Sequence, residues 1–300
     1  MLSNAPLDAH YIAAHWPLTG VRLGTVLRVF DHRHVQVITS CEGRYVLKTT
    51  NQWRNDLDAT NHLSLPGYLA AHGFANAPRL LPTRAGRLFE PLGDDHVYLL
   101  EYIEGRAPDP TTVVYERIGE LVAALHTVTC YPHPYLFTYQ EVLPEFYEIA
   151  QELPFTDEYL TIVDAWPDFD TFPQSIIHGE VVGNTLQSDD DTLIVLDWDE
   201  AGVGPRLFDI GHPLVGSFIT EDLQVHWDLM AAFYRGYLHQ IALTDLELAH
   251  IVDAALFYAL RYIIWGDTAA RWRRILWTLE HRADLEAVIA RAVPAHRRVD

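Results

Sequence analysis

The sequence is poor in cysteine and lysine, and it has no long uncharged apolar segment. Two cysteines in 300 residues are too few for a disulfide framework or a zinc ribbon, so the chain is neither a disulfide-rich domain nor a zinc-ribbon protein. No stretch reaches the roughly 18 consecutive apolar residues of a membrane-spanning helix. The first residues also lack a basic cluster followed by an apolar run. We therefore expect a cytoplasmic protein that does not bind membranes.

Positive charge is also scarce, with 21 basic against 41 acidic residues and a formal net charge of -20. Such a surface repels phosphate polymers, which argues against nucleic-acid binding. The acidic excess has two interpretations: it attracts a cationic substrate, or it only keeps a soluble protein in solution. With 49% hydrophobic residues, the chain can bury one large core or two smaller ones.

Lys48 is the single lysine among the 21 basic residues. A chain that otherwise uses arginine has kept an ammonium here, where a compact point charge can matter more than a planar guanidinium. Lys48 lies in the last of three short β-like segments, Val26 to Val29, Val35 to Ile38 and Arg44 to Thr49, which polar turns separate. This pattern predicts a three-stranded antiparallel meander.

The rest of the chain divides near Gly105. Before it, the pattern predicts a helix that is broken at Pro66-Gly67 and two further strands, Arg87 to Pro91 and His96 to Ile103. After it, the hydrophobic period changes to about 3.6, as in the helical face formed by Val114, Ile118, Leu121, Val122 and Leu125. Near the end, Thr244 and Glu247 form a capping-box pair that predicts the start of another helix.

The stretch from Ser175 to Gly204 lies between the helical regions and carries most of the chemistry. An apolar run ends in a tight loop that contains Glu180, and Asn184 follows four residues later. A second apolar run ends at Asp197, thirteen residues after Asn184. Phosphoryl transfer needs these groups: a carboxylate for the attacking hydroxyl and oxygen ligands that hold Mg²⁺ against the phosphates. Each fragment alone is weak evidence for phosphoryl transfer, but the ordered set together with an upstream strand lysine is moderately specific for it.

With these motifs, the chain resembles the aminoglycoside phosphotransferase and choline kinase-like family. The resemblance implies an α+β, two-lobed protein-kinase-like fold with a small antiparallel β-sheet N-lobe and a mainly helical C-lobe. Residues 1–103 would form the nucleotide-binding lobe and residues 104–300 the lobe with the catalytic loop and acceptor site. The implied activity is a phosphotransferase (kinase) that moves the γ-phosphate of ATP to a hydroxyl of a small molecule.

The resemblance also implies which residues bind ATP, which bind Mg²⁺ and which is catalytic. Lys48 would hold the α- and β-phosphates, and the backbone of Glu101 and Ile103 would pair with adenine at the hinge. Glu180 would be the catalytic base, while Asn184 and Asp197 would bind Mg²⁺. Two further residues are implied: Asp209 would support the catalytic loop, and Arg33 is the one fixed positive charge in the turn at the place of the phosphate loop.

Four departures from the family pattern leave alternatives open. Glu180 stands where the family has aspartate, and Asn184 follows it by four residues instead of five. His62 stands where the helix after Lys48 normally offers a glutamate, and there is no glycine-rich phosphate loop. The alternatives are a catalytically weakened nucleotide-binding protein and a Ser/Thr protein kinase. Tyr258, Tyr262 and Trp265, at helical spacing, are either core residues or an aromatic cage for a cationic acceptor.

Overall fold

The computed structural model describes residues 7–30, 33–133 and 138–294. In these residues the strands are β1 (Arg22–Phe30), β2 (Arg33–Ser40), β3 (Gly43–Thr50), β4 (Leu80–Leu81), β5 (Glu90–Leu92), β6 (Asp95–Glu101), β7 (Gly105–Arg106), β8 (Gln174–Ile177), β9 (Thr185–Ser188), β10 (Leu193–Val195) and β11 (Gly202–Pro205). The helices are α1 (Ala9–His15), α2 (Asp56–Leu63), α3 (Leu65–Ala71), α4 (Thr112–His126), α5 (Tyr139–Ala150), α6 (Thr156–Asp164), α7 (Val181–Asn184), α8 (Leu207–Gly216), α9 (Trp227–Gln240), α10 (Asp245–Arg261), α11 (Thr268–Glu280) and α12 (Arg282–Ala292). None of these helices has the length and apolar character needed to cross a membrane.

The described residues form two compact units. The first comprises 7–106, His133 and Ser188–Leu196, and the second comprises 107–132, 138–187 and 197–294. The return of Ser188–Leu196 to the first unit is fixed by Asn76, whose side chain donates to the Leu193 carbonyl oxygen at 2.8 Å and whose own carbonyl accepts from the Val195 N–H at 2.8 Å. The predicted division into functional lobes at residue 103 stays a prediction.

An antiparallel sheet forms the centre of the first unit, with strand order β1-β2-β3-β6-β4 and β5 also paired to β6. Because alternate residues of a strand point to opposite faces, each face has its own apolar cluster. One face packs Ile38, Leu47, Val97 and Leu99 against α1 and the residues after it. The other packs Tyr98 and Leu100 against Trp53 and α2. The predicted meander is confirmed as β1, β2 and β3.

The second unit is mainly helical, and its closest helix crossing uses two glycines. A Cβ atom at Gly119 of α4 would lie 2.0 Å from the Phe233 carbonyl oxygen, and one at Gly236 of α9 would lie 2.0 Å from the Glu116 carbonyl oxygen. Any side chain at either position would therefore force α4 and α9 apart. The strands β8 and β11 form a two-stranded antiparallel sheet, and β8 leads directly into the loop that contains Glu180.

Most of the predicted elements are present, with two corrections. Thr244 and Glu247 form the predicted capping box at the start of α10. The predicted interruption between two helices is present but lies at Ser64, because Pro66 occupies the first turn of α3, where a proline lacks no needed N–H. The predicted strand from Arg87 is wrong at its start, since the Arg87 carbonyl closes a turn with the Thr83 N–H at 2.9 Å. Asp31 and His32 of the predicted phosphate-side turn lie outside the described residues.

Candidate active site

Three consecutive backbone N–H groups of the loop after β8 donate hydrogen bonds to side chains. Those of His178 and Gly179 donate to the Asp209 carboxylate at 2.9 and 2.5 Å, and that of Glu180 donates to Nδ1 of His178 at 3.3 Å. Gly179 has a φ of 91°, and a Cβ atom there would lie 3.0 Å from the Tyr258 hydroxyl oxygen. Glycine is therefore required for this conformation, and the backbone is fixed up to Glu180.

Asp209 is a fully buried carboxylate in the first turn of α8. Its Oδ2 atom lies 3.2 Å from Nε2 of His126, whose Nδ1 lies 2.9 Å from the Tyr237 hydroxyl. Burial raises the pKa of Asp209, but the hydrogen bonds and charges of His126 and His178 outweigh it and leave the pKa lowered. Since an ionised carboxylate only accepts, His126 donates from Nε2 to Asp209, while its Nδ1 contacts the Tyr237 hydroxyl. This network supports the loop, as the resemblance implied for Asp209.

Glu180 is exposed and comes immediately before the four-residue helix α7. Its carboxylate lies against Gly183, where a Cβ atom would be 2.6 Å from Oε1. The Asn184 N–H donates to the Glu180 carbonyl oxygen at 3.2 Å, and its side-chain Nδ2 donates to Glu180 Oε2 at 3.5 Å. The structure therefore brings Glu180 and Asn184 together.

Asp197 follows β10 and has a left-handed backbone, with φ and ψ both 61°. A non-glycine residue in this region costs of order 1–3 kcal/mol, and such strain concentrates at functional sites. The next residue, Trp198, is buried, and its ring meets the His178 ring edge-on with centroids 4.8 Å apart. The segment that begins at Asp197 is thus packed on the loop that leads to Glu180.

Lys48 lies inside the sheet of the first unit, opposite Val35 of β2 and Tyr98 of β6. Its side chain is buried, and Nζ lies 5.9 Å from the centroid of the Tyr98 ring. Antiparallel partners and residues two apart share a face of a sheet, so Arg33 points to the same side as Lys48. Two predicted nucleotide-binding residues therefore share one face of this sheet.

The same face carries α2, whose expected lysine partner is replaced by a histidine. His62 is buried, and its ring centroid lies 5.2 Å from that of Trp53. Asp56, at the start of α2, lies 3.1 Å from Nε2 of His96. The position at which the family offers a glutamate is therefore part of the aromatic packing of α2 on the sheet.

Glu101 and Ile103, the predicted adenine-binding residues, lie at the end of β6. The Tyr102 N–H donates to the Arg44 carbonyl oxygen of β3 at 3.3 Å, whereas the Glu101 N–H donates to the Arg79 carbonyl oxygen at 2.9 Å. Backbone groups of successive residues alternate between the two sides of a strand. The backbone groups of Glu101 therefore face the edge away from β3, and Ile103 follows two residues later, just past the end of β6.

A group of aromatic and acidic side chains in the second unit is centred on Tyr262. The Tyr262 hydroxyl donates to Glu200 Oε2 at 2.5 Å, and the half-exposed Trp265 ring lies 5.2 Å from the Tyr262 ring. Burial raises the pKa of Tyr262, and the negative charges of Glu200 and Glu180 raise it further. Arg261, on the same helix, pairs with Glu145 at 2.9 Å. Two carboxylates therefore act on one phenol hydroxyl.

Magnesium suits the donor atoms that Asn184 and Asp197 supply. Both offer hard oxygen ligands, and the contact of Asn184 with Glu180 uses Nδ2, so the amide oxygen points elsewhere. In the described part of the chain, no three His, Cys, Asp or Glu side chains are grouped to hold a metal. A magnesium ion here would therefore depend on few protein ligands together with water and phosphate oxygens, which is its usual coordination in nucleotide sites.

Sequence reasoning missed four of the residues that build this site. His126 and Tyr237 are far from Asp209 in sequence, and only the apolar face of α4, which ends at His126, hinted at a buried histidine there. Gly183 carried no signal beyond its place beside Asn184. The fourth is Glu200, which accepts a hydrogen bond from the Tyr262 hydroxyl.

An antiparallel sheet followed by a helical unit with this loop defines a kinase-like fold, and comparison with known proteins agrees. The model of the phosphotransferase enzyme family (APH) matches residues 25–247, so the chain belongs to that family. No curated protein sequence matches the chain. The membership makes the chain a phosphotransferase and confirms the resemblance seen in the motifs. The predicted enzyme class, with an alcohol group as acceptor, agrees with it.

Three similar solved structures illustrate the fold. An aminoglycoside phosphotransferase from Alicyclobacillus acidocaldarius subsp. acidocaldarius is 14% identical with a TM-score of 0.65, over 97% of this chain and 96% of that chain. A choline kinase from Cryptosporidium parvum Iowa II is 12% identical with a TM-score of 0.66, over 94% and 96%. The amicoumacin kinase hAmiN, in complex with AMP-PNP, Ca²⁺ and Ami, is 17% identical with a TM-score of 0.63, over 94% and 90%. The predicted α+β kinase-like fold class is confirmed.

Proposed function

We propose that this phosphotransferase transfers the γ-phosphate of Mg·ATP to a hydroxyl group of a small molecule. The observation that carries the proposal is the exposed Glu180 carboxylate, at the end of a loop whose N–H groups are held by buried Asp209 and by His178. A carboxylate in a fixed position can orient an attacking hydroxyl and accept its proton, which is the role of the base in kinases.

The remaining predicted residues have complementary roles in this proposal. The Lys48 ammonium would stabilise the phosphate charge of the nucleotide, whose adenine would pair with the backbone of Glu101 and Ile103. Asn184 and Asp197 would hold Mg²⁺, which supplies charge neutralisation to the phosphates when bound. The complex of hAmiN with AMP-PNP and Ca²⁺ supports the use of a nucleotide and a divalent ion. Residues 1–103 would form the nucleotide-binding lobe and 104–300 the acceptor lobe.

We further propose that the acceptor carries an amine. The support is the joint placement of Glu200, Tyr262 and Trp265 near Glu180, because carboxylates and aromatic faces both attract a cation. The Arg261 guanidinium lies 5.6 Å from the Tyr262 ring centroid, and its ion pair with Glu145 neutralises part of its charge. One of the similar structures is a choline kinase, and choline is a cationic alcohol. Aminoglycosides and amino alcohols are therefore the first acceptors to test.

A panel assay tests the proposal against its two alternatives. ATP consumption is measured with amino alcohols, aminoglycosides, uncharged sugars and serine-containing peptides, beside nucleotide binding by calorimetry with and without Mg²⁺. We expect turnover with an amine-bearing alcohol and an approximately 10²- to 10⁴-fold loss of turnover in Glu180→Gln, with ATP binding nearly unchanged. ATP binding without turnover on any acceptor would favour the weakened nucleotide-binding protein, and turnover on the peptides alone would favour a Ser/Thr protein kinase.

A further inference from the structure

Two arginine side chains of the first unit contact the segment 101–104. Nε and Nη2 of Arg79 each lie 3.0 Å from Glu101 Oε2. The Arg44 guanidinium carbon lies 3.9 Å from the centroid of the Tyr102 ring, and the same guanidinium forms an ion pair with Glu104. Side chains from β3 and from the residues before β4 therefore contact the segment that is proposed to meet adenine.

The Glu101 side chain also takes the place of one backbone hydrogen-bond acceptor at the edge of the sheet. An antiparallel hydrogen-bonded pair exchanges two N–H to carbonyl bonds. Glu101 and Arg79 make the first, from the Glu101 N–H to the Arg79 carbonyl oxygen at 2.9 Å. The Arg79 N–H, which would complete the pair, donates to Glu101 Oε1 at 3.0 Å instead. The Glu101 carbonyl oxygen is thereby left out of the ladder.

The next donor along this edge is inferred from the strand alternation. The Tyr102 N–H donates to β3, so the Glu101 groups face the other edge, and extending the alternation one residue past β6 puts the Ile103 N–H on that edge too. Among residues 7–30, 33–133 and 138–294, none of the backbone hydrogen bonds outside the regular helices and strands uses the Glu101 carbonyl oxygen or the Ile103 N–H. The edge therefore presents one acceptor and one donor next to each other.

We propose that the Glu101 side chain is a positioning residue that selects adenine. By holding the Arg79 N–H, the carboxylate keeps the Glu101 carbonyl oxygen free to accept from the exocyclic amine of adenine, while the Ile103 N–H donates to the adjacent ring nitrogen. Guanine has a carbonyl and a ring N–H at these two positions, so its pattern is reversed. The inference rests on the proposed use of ATP and extends it from the backbone to a side chain.

Three variants and three nucleotides test this role. Glu101→Ala lets the Arg79 N–H return to the carbonyl of residue 101, Glu101→Gln keeps a side-chain acceptor, and Arg79→Ala removes a guanidinium that is 85% exposed while leaving its own N–H in place. Dissociation constants are measured by calorimetry for ATP, GTP and purine riboside triphosphate, which lacks the exocyclic amine. Melting temperatures show that each variant is folded.

We expect Glu101→Ala to weaken ATP binding by about 5- to 10-fold, the value of one net hydrogen bond. Purine riboside triphosphate should bind the variant and the wild type equally, and the preference for ATP over GTP should shrink. Glu101→Gln and Arg79→Ala should stay within about twofold of the wild type, since both keep the acceptor for the N–H of residue 79.

Two results would overturn the inference while ATP use stands. One is unchanged ATP affinity in Glu101→Ala. The other is an equal loss for ATP and purine riboside triphosphate, which would indicate a general disturbance of the segment rather than loss of the bond to the amine. If the wild-type protein does not bind ATP, the proposed function itself is wrong, and the inference is overturned with it.

Discussion

Gly183→Ala places a methyl group where the Glu180 carboxylate lies. The new Cβ would be 2.6 Å from Glu180 Oε1 and 3.2 Å from its Cγ and Cδ atoms, whereas ordinary contacts begin at 3.4 Å. The carboxylate oxygen must therefore retreat by about 0.8 Å, and a displacement near 1 Å can cost about 10²-fold in rate. We expect kcat to fall by about 10- to 100-fold, with ATP affinity unchanged because the displaced group is not a phosphate ligand.

The same substitution should not destabilise the protein. Gly183 has no left-handed backbone angle, and the atom that must move is the end of a flexible side chain. Alanine restricts the unfolded chain more than glycine does, which stabilises a compatible site by roughly 0.4–1 kcal/mol. We therefore expect an equal or higher free energy of unfolding together with lost activity, a combination that damage to the core cannot produce.

Steady-state kinetics with the acceptor found in the panel assay and urea denaturation measure these two effects. Gly67→Ala is the matched control, because Gly67 also lies in a helix, has no left-handed angle, and a Cβ atom there meets nothing within 4 Å. Wild-type kcat in both glycine variants would refute the placement of the Glu180 carboxylate at the reacting hydroxyl.

Four further changes test other parts of the site. Lys48→Ala should weaken ATP binding or turnover and leave the fold intact, and unchanged titration and kinetics would remove Lys48 from the site. Asp197→Asn should blunt the Mg²⁺ dependence of nucleotide affinity, and an unchanged dependence would exclude it as a ligand. Glu180→Asp should lower turnover because the shorter side chain retracts the carboxylate, and full activity would contradict this. His212 lies in α8 with its ring centroid 5.2 Å from that of Tyr258, and burial lowers its pKa to about 4. Folding therefore loses stability as pH falls from about 6.5 towards 4. In urea denaturation at pH 7 and 5, His212→Gln should lose less stability than the wild type, and equal losses would contradict the assignment.

Local patterns predicted the parts of the fold that depend on neighbouring residues. The alternation through Lys48 predicted β1, β2 and β3, and the Thr244 and Glu247 pair predicted the start of α10, because both are set by short-range geometry. The start of the strand at Arg87 failed for a local reason too. Gly86 has a φ of 76° and closes a turn there, and a single glycine in a polar segment does not show which residue ends the turn.

The support of the catalytic loop could not be predicted in full. Asp209 contacts His126 across 83 residues of sequence, and His126 contacts Tyr237 across 111. Hydrogen bonds between buried polar groups depend on which helices pack together, and hydrophobic periodicity shows that a face is buried without showing what meets it. The close approach of α4 and α9 at Gly119 and Gly236 brings His126 and Tyr237 into contact, and such close packing is specified by pairs of distant residues.

The spacing between Glu180 and Asn184 shows how an apparent defect in a motif can have a structural reason. Position 184 follows position 180 by four residues, and its N–H donates to the Glu180 carbonyl oxygen, as in one turn of an α-helix. Residues four apart lie on the same side of such a turn, whereas a fifth residue would be rotated by about 100°. The shorter spacing therefore places the carboxylate and the amide side by side, and Gly183 leaves room for the longer glutamate side chain to fold back beside them. The glutamate, the glycine and the shortened spacing form one consistent arrangement, which favours an active loop over a decayed one.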